Sequence, residues 1–131
     1  MAGRLEVTGY VKGGVVVVLS LDYGRELLLR EDAPKRLSEE LVGRYKELQE
    51  KDKPATSSAV VEIKAKDAGS PVVRALFELW KEVVGNRGGQ VVCASYPQDY
   101  IDSLTTLGLP ALPGFSLAAT VGDALGRVAQ P

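Results

Sequence analysis

Histidine is absent from this sequence, and cysteine occurs once, as Cys93. Without histidine the chain lacks the usual general base at neutral pH, the commonest metal ligand and the acceptor of a phosphohistidine relay. A serine–histidine or cysteine–histidine catalytic pair is excluded, and so is an intrachain disulfide bond. We therefore expect a protein that is not an enzyme, with no catalytic residues, no metal and no cofactor.

The sequence also lacks an excess of either charge. Lysine and arginine number 16, against 17 aspartate and glutamate residues. A nucleic-acid-binding protein usually carries a basic surplus, because neutralisation of phosphates drives its affinity. No nucleic-acid partner is therefore predicted.

Long apolar stretches are missing as well. The longest run, Val15 to Leu19, is far shorter than the ~20 residues that a membrane-spanning helix needs. No apolar segment typical of a secretory signal follows Arg4. A single cysteine suits a reducing compartment. These features predict a cytoplasmic protein with no membrane partner.

The chain does contain what a single globular domain needs. Its 131 residues are 45% hydrophobic and 25% charged, which predicts one domain over residues 1–131. Runs of β-branched residues predict strands at 5–11, 15–19, 59–63 and 90–94, with a brief strand near Phe115. Helical spacing predicts helices that begin at Pro34, at Ser70-Pro71, at Pro97 and near Thr120. Residues 25–30 fit either a short edge strand or part of a long loop.

The alternation of these elements predicts an α/β fold, a mixed β-sheet with about four α-helices packed mostly on one side. Gly13-Gly14 predicts the turn of an opening hairpin. The predicted core consists of Val17, Val61, Leu76, Val92 and Leu104.

The second half of the chain resembles the STAS domains, the anti-sigma-factor antagonist family. In both, a Gly-Gly turn precedes a buried strand, a short helix ends in a Leu-Gly-Leu stretch, and a phenylalanine leads to a final helix. The resemblance is strongest over residues 59–128. It rests on Gly88, Gly89, Val91, Val92, Leu104, Leu107, Gly108, Leu109, Phe115, Asp123, Ala124 and Leu125.

The resemblance implies a STAS-like fold and a bacterial signalling protein that regulates transcription through protein–protein interaction. In many family members, the loop after the central strand carries a phosphorylatable serine or threonine beside an aspartate. A serine kinase that is also the anti-sigma factor binds and phosphorylates this loop. Other members are stressosome scaffolds or cytosolic tails of anion transporters.

The corresponding loop of this chain departs from the family pattern. Alignment on Asp67 places Ala68 at the usual phosphosite, whereas ungapped alignment from the strand places Pro71 there. Ser70 is the only hydroxyl residue in the loop. It is a phosphorylation candidate at a helix N-terminus, and its alternative role is that of an N-cap.

Two functions follow from the resemblance. The first is a partner-binding module for a serine kinase or anti-sigma-factor-like protein, and the alternative is a self-associating, stressosome-like scaffold subunit. We expect the partner surface to include the exposed side of the helix that begins at Pro71. The predicted partner-binding residues are Lys66, Asp67, Ala68, Gly69, Ser70, Pro71, Val72 and Val73.

Overall fold

The computed structural model describes residues 5–65, 70–94, 108 and 112–128. One mixed sheet has the strand order β1-β2-β3-β4-β5. The first two strands are antiparallel, and each later strand is parallel to the one before it. The strands are β1 (Leu5–Lys12), β2 (Val16–Tyr23), β3 (Ala59–Ile63), β4 (Val91–Ala94) and β5 (Phe115–Ala118).

The predicted opening hairpin is confirmed. The strands β1 and β2 pair from Leu5↔Tyr23 to Lys12↔Val16. Gly13 and Gly14 in the turn have φ angles of 58° and 72°, in the left-handed region that glycine adopts without steric cost.

Strand β2 extends beyond the predicted end at Leu19. Leu21 and Tyr23 continue the two-residue alternation and are buried, which keeps the chain in the sheet. The segment from Arg25 to Leu29 is a 3₁₀ helix whose Leu27 is fully buried. Of the two alternatives that the sequence left open, the edge strand is therefore wrong, and the connection from β2 to α1 contains a 3₁₀ helix.

Three α-helices lie within the described residues: α1 (Ala33–Asp52), α2 (Ser70–Trp80) and α3 (Val121–Val128). As predicted, α1 ends before Pro54: its last residue is Asp52, and the following residue, Lys53, has a left-handed φ of 45°. A π-helical segment, Lys81–Asn86, directly continues α2. The backbone N–H of Asp123 donates to the Thr120 hydroxyl at 3.1 Å, so Thr120 caps α3. The helix predicted from Pro97 lies outside the described residues.

The helices cover both faces of the sheet. Helices α1 and α2 pack on the face that carries Val17, Val61 and Cys93. Helix α3 packs on the opposite face, against Val60 and Val92. Two of the three described α-helices therefore share one face of the sheet, and α3 covers the other. The physical reason is that β2, β3 and β4 are apolar on both faces, and both must be removed from water.

The predicted core is confirmed at every position that the structure describes. Val17, Val61, Leu76 and Val92 are fully buried. Leu104 lies outside the described residues. Among the residues that the structure describes, no helix is long and apolar enough to cross a membrane.

Candidate functional site

A groove of about 790 Å³ runs along the outer surface of the helical layer, between α1 and α2. The two helices pack against each other above the sheet, and the groove lies where their solvent-facing sides diverge. Its lining residues are Pro34, Lys35, Ser38, Glu39, Val42, Gly43 and Lys46 from α1, and Val73, Arg74, Phe77 and Glu78 from α2.

The floor of the groove is apolar. Val42 is half-buried, and Val73 is buried at the base of α2. The Phe77 ring remains 36% exposed. Gly43 widens the groove, since a Cβ at that position would meet no atom within 4 Å. The groove therefore presents a site that apolar side chains of a partner can enter.

Phe77 is held in place although it faces solvent. Its ring stacks on Trp80 with 5.6 Å between the ring centroids. The Trp80 indole N–H donates to the Pro113 carbonyl oxygen at 2.8 Å, and the Lys81 ammonium lies 5.2 Å from the Phe77 centroid. A fixed aromatic ring loses little conformational entropy when a partner covers it.

Charged residues form the rims of the groove, and Arg74 differs from the others. Arg74 is exposed and makes no hydrogen bond or ion pair with any part of the chain that the structure describes. The other charges are paired, as Lys35–Glu39 at 3.9 Å, Lys46–Glu82 at 3.8 Å and Lys81–Glu78 at 3.1 Å. The groove thus offers one uncompensated positive charge to an acidic group.

A polar network adjoins the groove at Lys46, which pairs with Glu82 at 3.8 Å. The Arg87 guanidinium donates to Glu82 at 2.7 Å, and the Asn86 amide donates to the same carboxylate at 3.1 Å. The hydrogen bond from Arg87 lowers the pKa of Glu82, with smaller contributions from Asn86 and Lys46. Arg87 also lies over the Tyr45 ring, 5.6 Å from its centroid. This network fixes the π-helical segment against α1.

The structure describes four of the eight predicted partner-binding residues, those from Ser70 to Val73. Ser70 is the first residue of α2. Pro71 is half-buried and Val73 lines the groove, whereas Val72 is fully buried in the core. Lys66, Asp67, Ala68 and Gly69 lie outside the described residues.

The sequence analysis assigned the exposed side of α2 to the partner without naming Arg74 or Phe77, and it missed the whole α1 side of the groove. A local signal exists for Phe77, because Val73 and Phe77 are four residues apart and therefore share one helical face. No comparable signal exists for Val42 and Gly43, whose place in the groove depends on the packing of α1 against α2.

The groove combines apolar and charged side chains. The described residues hold no group of three or more cysteine, aspartate or glutamate residues placed to bind a metal ion. The fold is a mixed α/β fold with a five-stranded sheet. No known family model and no curated protein matches the chain.

Proposed function

We propose that the chain is a STAS-type protein-interaction module, an anti-sigma-factor antagonist-like regulator that binds a serine kinase or anti-sigma-factor-like protein. The contact surface is the α1–α2 groove together with the N-terminal end of α2. The mixed α/β fold is compatible with this assignment. The sequence resemblance over residues 59–128 supports the family.

The groove is the observation that carries the proposal. It lies on the exposed side of the helix that the sequence analysis assigns to the partner, and Val73 belongs to both the predicted surface and the groove. Its floor offers Phe77, a large apolar side chain that is 36% exposed. Aromatic residues that lie among apolar and charged neighbours are typical anchors of protein interfaces.

The dimensions and charge of the groove favour an amphipathic helix of the partner. The α1 segment from Pro34 to Lys46 lines the groove and is about 18 Å long at 1.5 Å per residue. About three turns of a partner helix fit along it, with apolar residues on the Val42–Phe77 floor. An acidic residue of that helix would pair with Arg74.

Ser70 offers a means of regulation on this surface. It begins α2, one turn before Val73 and Arg74. A phosphate on Ser70 is favoured by the positive end of the helix dipole. It would also place negative charge near Arg74, where it competes with the partner's carboxylate. Phosphorylation by the bound kinase would therefore release the partner.

Binding to purified serine kinases of the anti-sigma-factor type from the source organism tests the proposal. We expect Phe77→Ala and Arg74→Glu each to weaken binding at least tenfold in isothermal titration calorimetry. Matched controls are Leu29→Ala, which removes an 84% exposed apolar side chain away from the groove, and Arg25→Glu, which reverses an exposed charge. These controls should bind like the wild type.

Failure of every candidate kinase to bind, or equal binding by the groove variants and the wild type, would reject the module. Incubation with the bound kinase and ATP, followed by mass spectrometry, tests Ser70 separately, with Ser70→Ala as the control. A particle of many subunits in light scattering would favour the stressosome-like scaffold instead.

A further inference from the structure

Strand β1 lies at one edge of the sheet. It is the terminal strand in the sheet order and, among the described strands, pairs only with β2. It is eight residues long and contains no proline. An edge of this length presents a row of backbone N–H and C=O groups to another strand, and natural proteins usually protect such edges.

The sequence of β1 is complementary to itself about Gly9. If two copies of β1 pair antiparallel with Gly9 opposite Gly9, Glu6 of each copy faces Lys12 of the other. In the same register Val7 faces Val11, and Thr8 faces Tyr10. Because the arrangement is two-fold symmetric, each of these pairs occurs twice. Opposite charges in directly facing positions stabilise an antiparallel pair, and like charges destabilise it.

The two faces of β1 suit this register as well. Glu6, Thr8, Tyr10 and Lys12 lie on one face and are exposed, with Tyr10 at 49%. Among the described elements, helix α3 makes its main contacts with β3, β4 and β5, whereas α1 is the helix that packs on β1. The charged pairs would therefore form on an open face, where their side chains can reach each other across the new strand boundary.

The valines lie on the opposite face, under α1. Val7 is buried there and Val11 is partly buried against the same core. The Val7–Val11 pairs would extend this apolar layer from one copy into the other. Gly9 marks the symmetry axis. A Cβ at this position would lie 2.8 Å from a terminal methyl of Leu48 and 2.9 Å from one of Leu19, so a larger residue would require both leucines to shift.

We propose that β1 is a homodimerisation strand that joins two copies of the chain through antiparallel pairing about Gly9. The sheet then continues from one copy into the other across a two-fold axis. The charge complementarity of Glu6 and Lys12 identifies a second copy as the occupant of the edge. This interface goes beyond the proposed partner binding, since it uses none of the residues that line the α1–α2 groove.

Charge reversal followed by mixing tests the partner and the orientation together. In Glu6→Lys the dimer would contain two Lys–Lys pairs, and in Lys12→Glu it would contain two Glu–Glu pairs. Each single variant should raise the dimer dissociation constant at least tenfold, or about 1.4 kcal/mol, in sedimentation equilibrium at low salt. An equimolar mixture of the two should restore dimers, since every facing pair is then Lys–Glu. The double variant in one chain should also restore them.

Cysteine cross-linking tests the register. In the proposed pairing Thr8 faces Tyr10, with Cβ atoms about 4.5–5.5 Å apart, whereas the two copies of Thr8 are diagonal neighbours about 7–8 Å apart. Thr8→Cys mixed with Tyr10→Cys should therefore form a disulfide-linked dimer under mild oxidation, and Thr8→Cys alone should form little. The wild type is the control, because its single cysteine is buried.

Several results would overturn the proposal. Wild-type protein that sediments as a monomer at millimolar concentration would exclude the dimer. If neither charge reversal changes the dimer dissociation constant, the chain self-associates through another surface. The same conclusion follows if mixing the two single variants does not restore dimers. Preferential cross-linking of Thr8→Cys to itself would reject the Gly9 register. These measurements need no partner protein, so they stand or fall independently of kinase binding.

Discussion

The hydroxyl of Tyr45 donates a hydrogen bond of 2.5 Å to the backbone carbonyl oxygen of Ser57. This contact joins the fourth turn of α1 to the segment that enters β3. The next residue, Ser58, accepts a hydrogen bond of 3.0 Å from the backbone N–H of Gln90, just before β4. One short segment is thereby tied to a helix on one side and to the neighbouring strand on the other.

Removal of the Tyr45 hydroxyl should destabilise the fold modestly. Tyr45→Phe keeps the buried ring but leaves the Ser57 carbonyl without this donor. We expect the free energy of unfolding to fall by about 1 kcal/mol, as measured by urea denaturation at pH 7. An unchanged midpoint would mean that water replaces the hydroxyl at no cost.

Alkaline pH should destabilise the wild type through the same residue. Burial raises the pKa of Tyr45 to about 12 from its ordinary value of 10, although the charge of Arg87 opposes the shift. The folded state then holds the phenol proton more tightly than the unfolded state. The protonated Tyr45 therefore contributes to the free energy of unfolding. This contribution is fully present below pH 10 and is lost as the pH rises towards 12. The difference in unfolding free energy between wild type and Tyr45→Phe should shrink over that range.

Acidic pH should destabilise the folded protein through protonation of Glu82. The hydrogen bond from Arg87 holds the pKa of Glu82 below its ordinary value of 4.5. The ionised carboxylate thus stabilises the fold above pH 4.5, and this contribution is lost as the pH falls through the lowered pKa. Glu82→Gln should be less stable than wild type at pH 7 and show a weaker acid dependence. Glu31→Gln, an exposed substitution, controls for the loss of one carboxylate.

Substitution by alanine should lower the stability of the fold at one glycine, Gly89, and raise it at another, Gly43. A Cβ at Gly89 would lie 2.7 Å from the Ser57 carbonyl carbon, so Gly89→Ala should cost about 1–3 kcal/mol of stability. Gly43 lies within α1 and its Cβ would enter open space. Gly43→Ala should therefore stabilise the protein by about 0.5–1 kcal/mol. Thermal denaturation of both variants checks the pair, and equal signs would contradict the assignment.

Truncation to alanine should cost much more stability at Leu76 than at its neighbour Phe77. Leu76 is fully buried, whereas Phe77 is 36% exposed. Leu76→Ala should cost about 2–5 kcal/mol, the range for a buried leucine, and Phe77→Ala should cost clearly less. Chemical denaturation of the two variants measures the difference. If Leu76→Ala lowers the unfolding free energy by less than about 0.5 kcal/mol, Leu76 does not lie on the buried face of α2.

Features that depend on neighbouring residues were predictable. The strand Ala59–Ile63 was recognisable as a short run of mostly β-branched, apolar residues. The spacing of Leu37, Leu41, Tyr45 and Leu48 follows from the geometry of the helix. The hairpin at Gly13-Gly14 follows from the positive φ angles that its turn requires. The longer β2 and the 3₁₀ helix were missed because Asp22-Tyr23-Gly24 has turn-like composition, whereas burial of Leu21, Tyr23 and Leu27 determines the structure there.

The sequence by itself determined the order of strands and helices, the buried residues of the central strands and the helix on which Ser70 and Val73 lie. Only the tertiary structure placed α3 on the second face, opened the groove beside Phe77 and left β1 at the edge of the sheet. The physical reason is the range of the interactions involved. Secondary structure follows from periodicity over a few residues, whereas the groove needs Val42 and Val73 to meet across a strand and two connections. Burial of apolar surface from distant segments brings such residues together, and that burial is a property of the whole packed chain.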